Sequence, residues 1–124
     1  TYHNFQARAD TIKNDFLLFL LEQKKANKSV VAYGAAAKGN TLLNYAGVKP
    51  DLLKFVFDAA NFKQNKYMPG SHIPILSPAR ILAADPDFVV ILPWNISAEV
   101  QDQLRSQGMT RTKFVTVVPE LKVL

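Results

Sequence analysis

The sequence predicts one α/β domain with a parallel sheet of about five strands and helices on both faces. Short apolar segments rich in β-branched residues alternate with segments in which apolar residues recur every three to four positions. Gly, Pro and polar residues separate the two kinds of segment. Such alternation is typical of parallel sheets whose strands are joined by right-handed crossover helices.

The N-terminal segment predicts a long helix. Apolar residues recur at helical spacing over residues 2–26, for example at Phe5 and Ala9. A helix of this length extends about 36 Å, which is more than a small sheet requires. Segment 1–28 is therefore either an oversized packing helix or, as we favour, a connector whose outer face contacts another domain. Residues 29–124 form the α/β domain itself.

The remaining segments predict the strands and helices that alternate along the chain. Five of them predict strands: 29–33, 52–57, 73–76, 87–92 and 113–118. Three others predict helices: 38–46, 77–84 and 97–106. The polar segment 59–71 is too long for a simple turn, and we expect it to be a functional loop. The whole pattern predicts a Rossmann-like, three-layer domain.

Composition narrows the class of protein. The chain contains no cysteine, so these residues hold neither a disulfide nor a zinc–thiolate site. The net charge of +5 is spread along the chain without an aromatic-basic motif, so we do not expect nucleic-acid binding. No apolar run approaches the ~18 residues of a membrane span. A cytoplasmic location fits these features, and the start at Thr1 is interpreted as that of a fragment of a longer protein.

The segment from Gly34 to Asn40 joins the first strand to the first crossover helix. Gly34 and Gly39 occupy the first and sixth positions of a dinucleotide-binding fingerprint, but Ala36 stands at the third, where the fingerprint has glycine. Lys38 places a cation near a helix N-terminus, which is unfavourable unless an anion offsets it. The segment is therefore either an anion-binding turn or a tight structural turn.

In such sheets, ligands bind beyond the carboxyl ends of the strands. Asp58 ends the second strand 24 positions after Gly34, near the spacing at which a carboxylate binds a ribose hydroxyl. A residue that caps the following loop is an equal alternative. The other candidates, each of which has a surface or packing alternative, are Asn61, Lys63, Lys66, Tyr67, His72, Trp94 and Asn95. No catalytic triad, carboxylate pair or metal-ligand cluster can be assembled, so the catalytic residues are unknown.

The segment 33–44, YGAAAKGNTLLN, resembles the hallmark of the C-terminal domain of S-adenosylmethionine-dependent sugar C-methyltransferases. The resemblance covers about residues 5–118 of the chain. Other stretches that agree in order and spacing are Asp58, 63–64, 66–75 and 92–95.

This resemblance implies a longer parent enzyme that methylates a carbon of a nucleotide-linked (dTDP-type) sugar. The parent would have an N-terminal zinc-binding domain and a central Rossmann domain for S-adenosylmethionine, both outside these residues. The methyl-donor domain would pack on the N-terminal helix of this chain. Residues 1–124 alone would hold no cofactor and would be inactive.

The resemblance also implies which residues bind the nucleotide. Gly34, Lys38, Gly39 and Asn40 would face the diphosphate. Asp58, Asn61 and the loop from Lys66 to His72 would flank the nucleoside, with Trp94 and Asn95 on the other wall. Two alternatives remain open. One is an NAD-type domain of an oxidoreductase, which Ala36 disfavours, and the other is a non-catalytic interaction module whose turn is purely structural.

Overall fold

The computed structural model describes residues 2–124, with side chains from Asn4 onward. The helices are α1 (Tyr2–Lys25), α2 (Ala37–Tyr45), α3 (Ile81–Ala84) and α4 (Ser97–Ser106). The strands are β1 (Val30–Tyr33), β2 (Val56–Phe57), β3 (Lys66–Tyr67), β4 (Pro74–Leu76), β5 (Phe88–Ile91), β6 (Lys113–Thr116) and β7 (Lys122–Val123). Short 3-10 turns precede the last two helices, at Pro78–Arg80 and Trp94–Ile96.

The strands form one seven-stranded sheet in the order β3-β4-β2-β1-β5-β6-β7. The five central strands are parallel, which confirms the predicted sheet, and β3 and β7 pair antiparallel at the two edges. The order of the parallel strands reverses between β1 and β5, where a Rossmann-like sheet opens its crevice. The edge strands lie in segments expected to be a loop and a tail. Two-residue strands have no periodicity of their own, and they form only because a neighbour supplies the pairing.

The second strand is shorter than predicted. Instead of 52–57, only Val56–Phe57 forms a strand, because Leu52 and Leu53 donate their N–H groups to Lys49 O in a turn. Leu53 is nevertheless fully buried. The apolar character that suggested a strand there instead serves to bury a turn in the core.

Successive residues of β1 pack on opposite faces of the sheet. Val30 and Ala32 belong to the core that α1 and α2 cover, whereas Val31 belongs to the core under α4. Two apolar layers therefore enclose the sheet, and the strand is apolar throughout, as a parallel strand buried on both sides must be. This confirms the predicted three-layer α/β architecture.

The two halves of the long helix α1 pack differently. Phe16 and Leu20 in its second half are fully buried in the core, whereas Phe5 near its start is 69% exposed. The hydroxyl of Tyr45 on α2 donates to the Asp10 carboxylate, and this hydrogen bond is the main cause that lowers the pKa of Asp10. Polar contacts thus help to hold the first half of α1, together with Ile12, which packs against the core. Of the helices within the described residues, α1 included, none is long and apolar enough to span a membrane.

Candidate functional site

Two glycines let the loops after β1 and β5 approach each other closely. Gly34 has φ +98°, and a Cβ built there would lie 2.5 Å from Pro93 Cδ. A Cβ on Gly39 would lie 2.9 Å from Leu92 Cβ. Both glycines are therefore required by close packing of the turn and of α2 against the end of β5. This contact forms the floor of the crevice at the point where the strand order reverses.

Helix α2 begins at this crevice without a side-chain cap. Its N-cap residue, Ala36, has an extended backbone and offers no hydrogen-bonding side chain. The first N–H groups of a helix have no acceptor within it, and they carry a partial positive charge. Lys38 is exposed in the first turn and has no hydrogen-bond or ion-pair partner among the side chains and backbone that the structure describes. The N-terminus of α2 thus concentrates positive potential that no described side chain offsets.

Two clefts flank this helix start. Cleft A, of about 480 Å³, lies between residues 36–39 and residues 92–95. Cleft B, of about 370 Å³, lies on the other side of the turn. Its lining consists of Ala35, Ala36, Ala37, Asn40, Phe62, Lys63, Lys66, Tyr67, Met68, Pro69 and Ile75. The clefts share Ala36 and Ala37, so one elongated ligand can occupy both across the N-terminus of α2.

The Asp58 carboxylate is hydrogen-bonded to the backbone of the turn after β1 and of the loop after β2. Its two carboxylate oxygens accept the N–H groups of Ala35 at 2.6 Å and of Ala60 at 2.8 Å. Lys63 Nζ donates to Ala35 O at 3.0 Å and lies 4.0 Å from the carboxylate. Both oxygens are therefore engaged within the protein. These hydrogen bonds are those of a residue that caps the following loop, which is one of the two roles considered for Asp58.

Six of the ten predicted site residues line the two clefts. Lys38, Gly39, Trp94 and Asn95 line cleft A, and Asn40 and Lys66 line cleft B. Trp94, at 45% exposure, presents much of its indole to solvent instead of covering the sheet edge completely. Asn40 Oδ1 is buried and finds no hydrogen-bond donor among the described residues.

The other predicted residues lie apart from these clefts. Gly34 underlies the turn, and Asn61 is an exposed loop residue whose carbonyl accepts the N–H of Gln64. His72 is exposed in the turn between β3 and β4, where its ring lies 6.4 Å from that of Tyr67. Because this turn precedes β4, it lies on the amino-terminal side of that strand. The structure therefore does not bring His72 to the carboxyl ends of the strands.

Sequence reasoning missed Phe62. This side chain is 71% exposed and forms part of the wall of cleft B, beside Lys63. The available signal was a phenylalanine within an otherwise polar loop, a position where burial in the core does not explain a large apolar residue. Among the side chains of residues 4–124 no three His, Asp or Glu groups lie closely enough together to hold a metal ion. The arrangement that the described residues do form is suited to binding an anionic, partly planar ligand.

An α/β sheet whose strand order reverses at ligand-sized clefts defines a Rossmann-like domain. The chain is similar to the crystal structure of UDP-D-quinovosamine 4-dehydrogenase from Vibrio fischeri, with a TM-score of 0.57 and 18% sequence identity over 78% of this chain and 93% of that one. At this identity the likeness shows the fold alone.

Sequence comparison identifies the family. A family model described as the C-methyltransferase C-terminal domain matches residues 1–119. The C-methyltransferase NovU of Streptomyces niveus is 35% identical over 97 residues, which are 78% of this chain and 23% of that protein. The chain thus spans about a quarter of the length of that relative. It belongs to the C-methyltransferase C-terminal domain family.

Proposed function

We propose that this domain binds the nucleotide diphosphate of a dTDP-type sugar substrate within an S-adenosylmethionine-dependent C-methyltransferase. The observation that carries the proposal is the pair of clefts that meet at the uncapped, positively charged start of α2. Family membership supplies the reaction class, and the site geometry supports an anionic ligand.

The start of α2 has the properties that phosphate binding needs. Backbone N–H groups at a helix N-terminus point outward and favour negative charge. The side chains of Ala35, Ala36 and Ala37 are single methyl groups, so phosphate oxygens can approach the backbone closely. Lys38 adds a full cation that no group of the described residues offsets. A diphosphate would satisfy all of these groups at once.

Methyl transfer itself is assigned to other parts of the parent protein. NovU is much longer than the matched segment, which leaves room for separate domains that bind S-adenosylmethionine and zinc. We propose that the methyl-donor domain packs on α1, whose outer side carries Leu18 and Leu21, 55% and 44% exposed, and whose first half carries Phe5, 69% exposed. The general base would come from those domains, and residues 1–124 alone would not methylate a sugar.

Calorimetry of the full-length protein tests the binding proposal. We expect heat of binding with dTDP and none with NAD or coenzyme A. Lys38→Ala should weaken dTDP binding about ten- to hundredfold, because charge-assisted hydrogen bonds contribute about 1.5–3 kcal/mol and each ~1.4 kcal/mol is a factor of about ten. Lys54→Ala removes the same charge from an exposed site outside both clefts, and it should leave the affinity unchanged. Heat with NAD alone would refute the proposal.

An NAD-type dinucleotide site is the second candidate, because Asp58 follows β2 as the ribose-binding carboxylate does in such domains. Its occupied oxygens and Ala36 in place of the fingerprint glycine weaken that candidate. The NAD arm of the calorimetry decides between the two. A purely structural turn, as in an interaction module, would leave dTDP affinity unaffected by Lys38→Ala.

A further inference from the structure

We infer that cleft B binds the planar base of the nucleotide, with Phe62 and Tyr67 as its stacking residues, and that cleft A receives the sugar. This assignment rests on the proposed nucleotide binding and adds the direction in which the ligand lies. It also moves base recognition away from Asp58, Asn61 and His72 to two aromatic side chains.

The walls of cleft B suit a flat apolar ring. Phe62 is 71% exposed and Tyr67 is 62% exposed, yet both line the same cavity. Exposed aromatic rings that face one cleft can bury their surface against a planar ligand, and stacking on them tolerates any base. Met68 and Ile75, which are buried, contribute further apolar surface. The volume of about 370 Å³ falls within the range of small-molecule pockets.

Cleft A has a different chemistry. It contains one aromatic side chain, Trp94, together with the Asn95 amide and the Lys38 ammonium. An amide supplies both donors and an acceptor, which match the hydroxyl groups of a sugar. An indole offers an apolar face to the C–H side of a sugar ring and an N–H to its oxygens. The polar cleft therefore suits the sugar, and the aromatic cleft suits the base.

Two lysines, Lys38 and Lys66, flank the position that we assign to the diphosphate. Lys63 is already engaged, since its ammonium donates to Ala35 O and lies 5.7 Å from the centroid of the Phe62 ring. That contact helps to hold Phe62 at the cleft. Lys66 in cleft B and Lys38 in cleft A have no described hydrogen-bond or ion-pair partner. A diphosphate at the start of α2 would lie between these two cations, with the base on one side and the sugar on the other.

The test measures how each variant of the full-length protein changes its affinity for each of two ligands. Calorimetry with dTDP and with inorganic pyrophosphate, which lacks a base, is carried out on Phe62→Ala, Tyr67→Ala and Trp94→Ala. We expect Phe62→Ala and Tyr67→Ala each to weaken dTDP binding about tenfold, as loss of a stacked aromatic ring does. Pyrophosphate affinity should not change. Trp94→Ala should leave dTDP affinity unchanged.

Two further variants separate stacking from other effects. Tyr67→Phe keeps the ring and should retain the affinity for dTDP. Leu82→Ala removes a large side chain that is 51% exposed on α3 and lines neither cleft, and it should have no effect. If the wild-type protein binds dTDP but Phe62→Ala and Tyr67→Ala bind it equally well, the base assignment is wrong and the proposed function stands. If, in addition, Trp94→Ala weakens dTDP binding about tenfold, the ligand lies in the opposite direction, with its base in cleft A. A wild-type protein that does not bind dTDP refutes both.

Discussion

The amino ends of the parallel strands and their carboxyl ends, here called the amino edge and the carboxyl edge, differ in how their charged side chains are paired. At the amino edge, Arg111 pairs with Asp87 at 2.7 Å and with Asp85 at 3.1 Å, and Asp87 also accepts the Ser29 N–H at 2.8 Å. At the carboxyl edge, α2 begins without a side-chain cap, and the ammonium group of Lys38 beside it has no described partner. The charges of one edge stabilise the fold. At the other edge Lys38 lacks a partner among the described residues, and a ligand is our proposed partner for it.

The groups that stabilise the fold at the amino edge thus lie apart from the groups that we propose bind a ligand at the carboxyl edge. The Arg111 guanidinium also donates to the carbonyls of Asp85 and Pro86, so one side chain joins the loop before β5 to the segment before β6. The buried Thr112 hydroxyl donates to Pro86 O at 2.8 Å in the same region. Such a network leaves few polar groups available to a ligand. The groups of this network are thus engaged with one another, whereas Lys38 at the other edge has no partner among the described residues.

Gly34→Ala should have the largest effect, because it forces apart the two loops that form the floor of the crevice. A left-handed backbone costs about 1–2 kcal/mol for a residue with a Cβ, and overpacking against Pro93 adds about 1–3 kcal/mol. We expect the free energy of unfolding, measured by urea denaturation, to fall by about 3 kcal/mol. Gly47→Ala is the control: its φ is +70°, but a Cβ there meets nothing within 4 Å. Equal losses in the two variants would show that the Pro93 contact does not require glycine.

Asp87→Asn tests the amino edge through pH. The hydrogen bond from Arg111, and then that from the Ser29 N–H, lower the pKa of Asp87 below its ordinary value of 3.8. The stabilisation is therefore complete at neutral pH, and it is lost as the pH falls through the lowered pKa of the folded state. Asp87→Asn should lower the free energy of unfolding by about 1 kcal/mol at pH 7 and make its decline below pH ~4 shallower.

The measurement is urea denaturation between neutral pH and about pH 2, below the carboxylate range. Asp102→Asn, at an exposed position on α4, serves as the control and should keep the wild-type stability at neutral pH. Wild-type and Asp87→Asn curves that remain parallel over the whole range would contradict a role for this carboxylate in acid sensitivity.

Lys38→Ala should have the smallest effect on stability, and of opposite sign. Removal of a cation from the first turn of α2 relieves its repulsion with the helix dipole, and alanine is a strong helix former. The free energy of unfolding should rise by about 0.5 kcal/mol while dTDP binding weakens. Thermal and urea unfolding measure the first quantity, with Lys54→Ala as the control. A destabilised Lys38→Ala protein would mean that this lysine supports the fold.

Much of the fold could be predicted from periodicity. The apolar segments around Val30–Tyr33 and Phe88–Ile91 predicted buried parallel strands, and the long N-terminal helix was found as expected. The edge strands Lys66–Tyr67 and Lys122–Val123 could not be predicted, because their residues are exposed and their conformation depends on a neighbouring strand. Leu53 was assigned to a strand because an apolar residue in a buried turn has the same local appearance.

The candidate site was predicted by position and corrected by geometry. Placement at the carboxyl ends of the strands singled out Lys38 and Trp94, and the structure places both in the lining of cleft A, while their role in binding stays a prediction. The same reasoning could not tell that both oxygens of Asp58 are used by Ala35 and Ala60, because those contacts depend on how the loop folds back. Phe62 was overlooked for the same reason, since the direction of a loop side chain is not encoded in its spacing.

By itself, the sequence determined the α/β class, the order of its main elements and the turn from Gly34 to Asn40 that begins α2. These features follow from local patterns: apolar periodicity, β-branched runs and the residues at helix ends. Only the tertiary structure decided that two clefts flank that turn, that its glycines serve close packing, and that Lys38 and Lys66 have no partner within the part of the chain that the structure describes. The physical reason is that clefts and unpaired charges arise from contacts between segments distant in the chain.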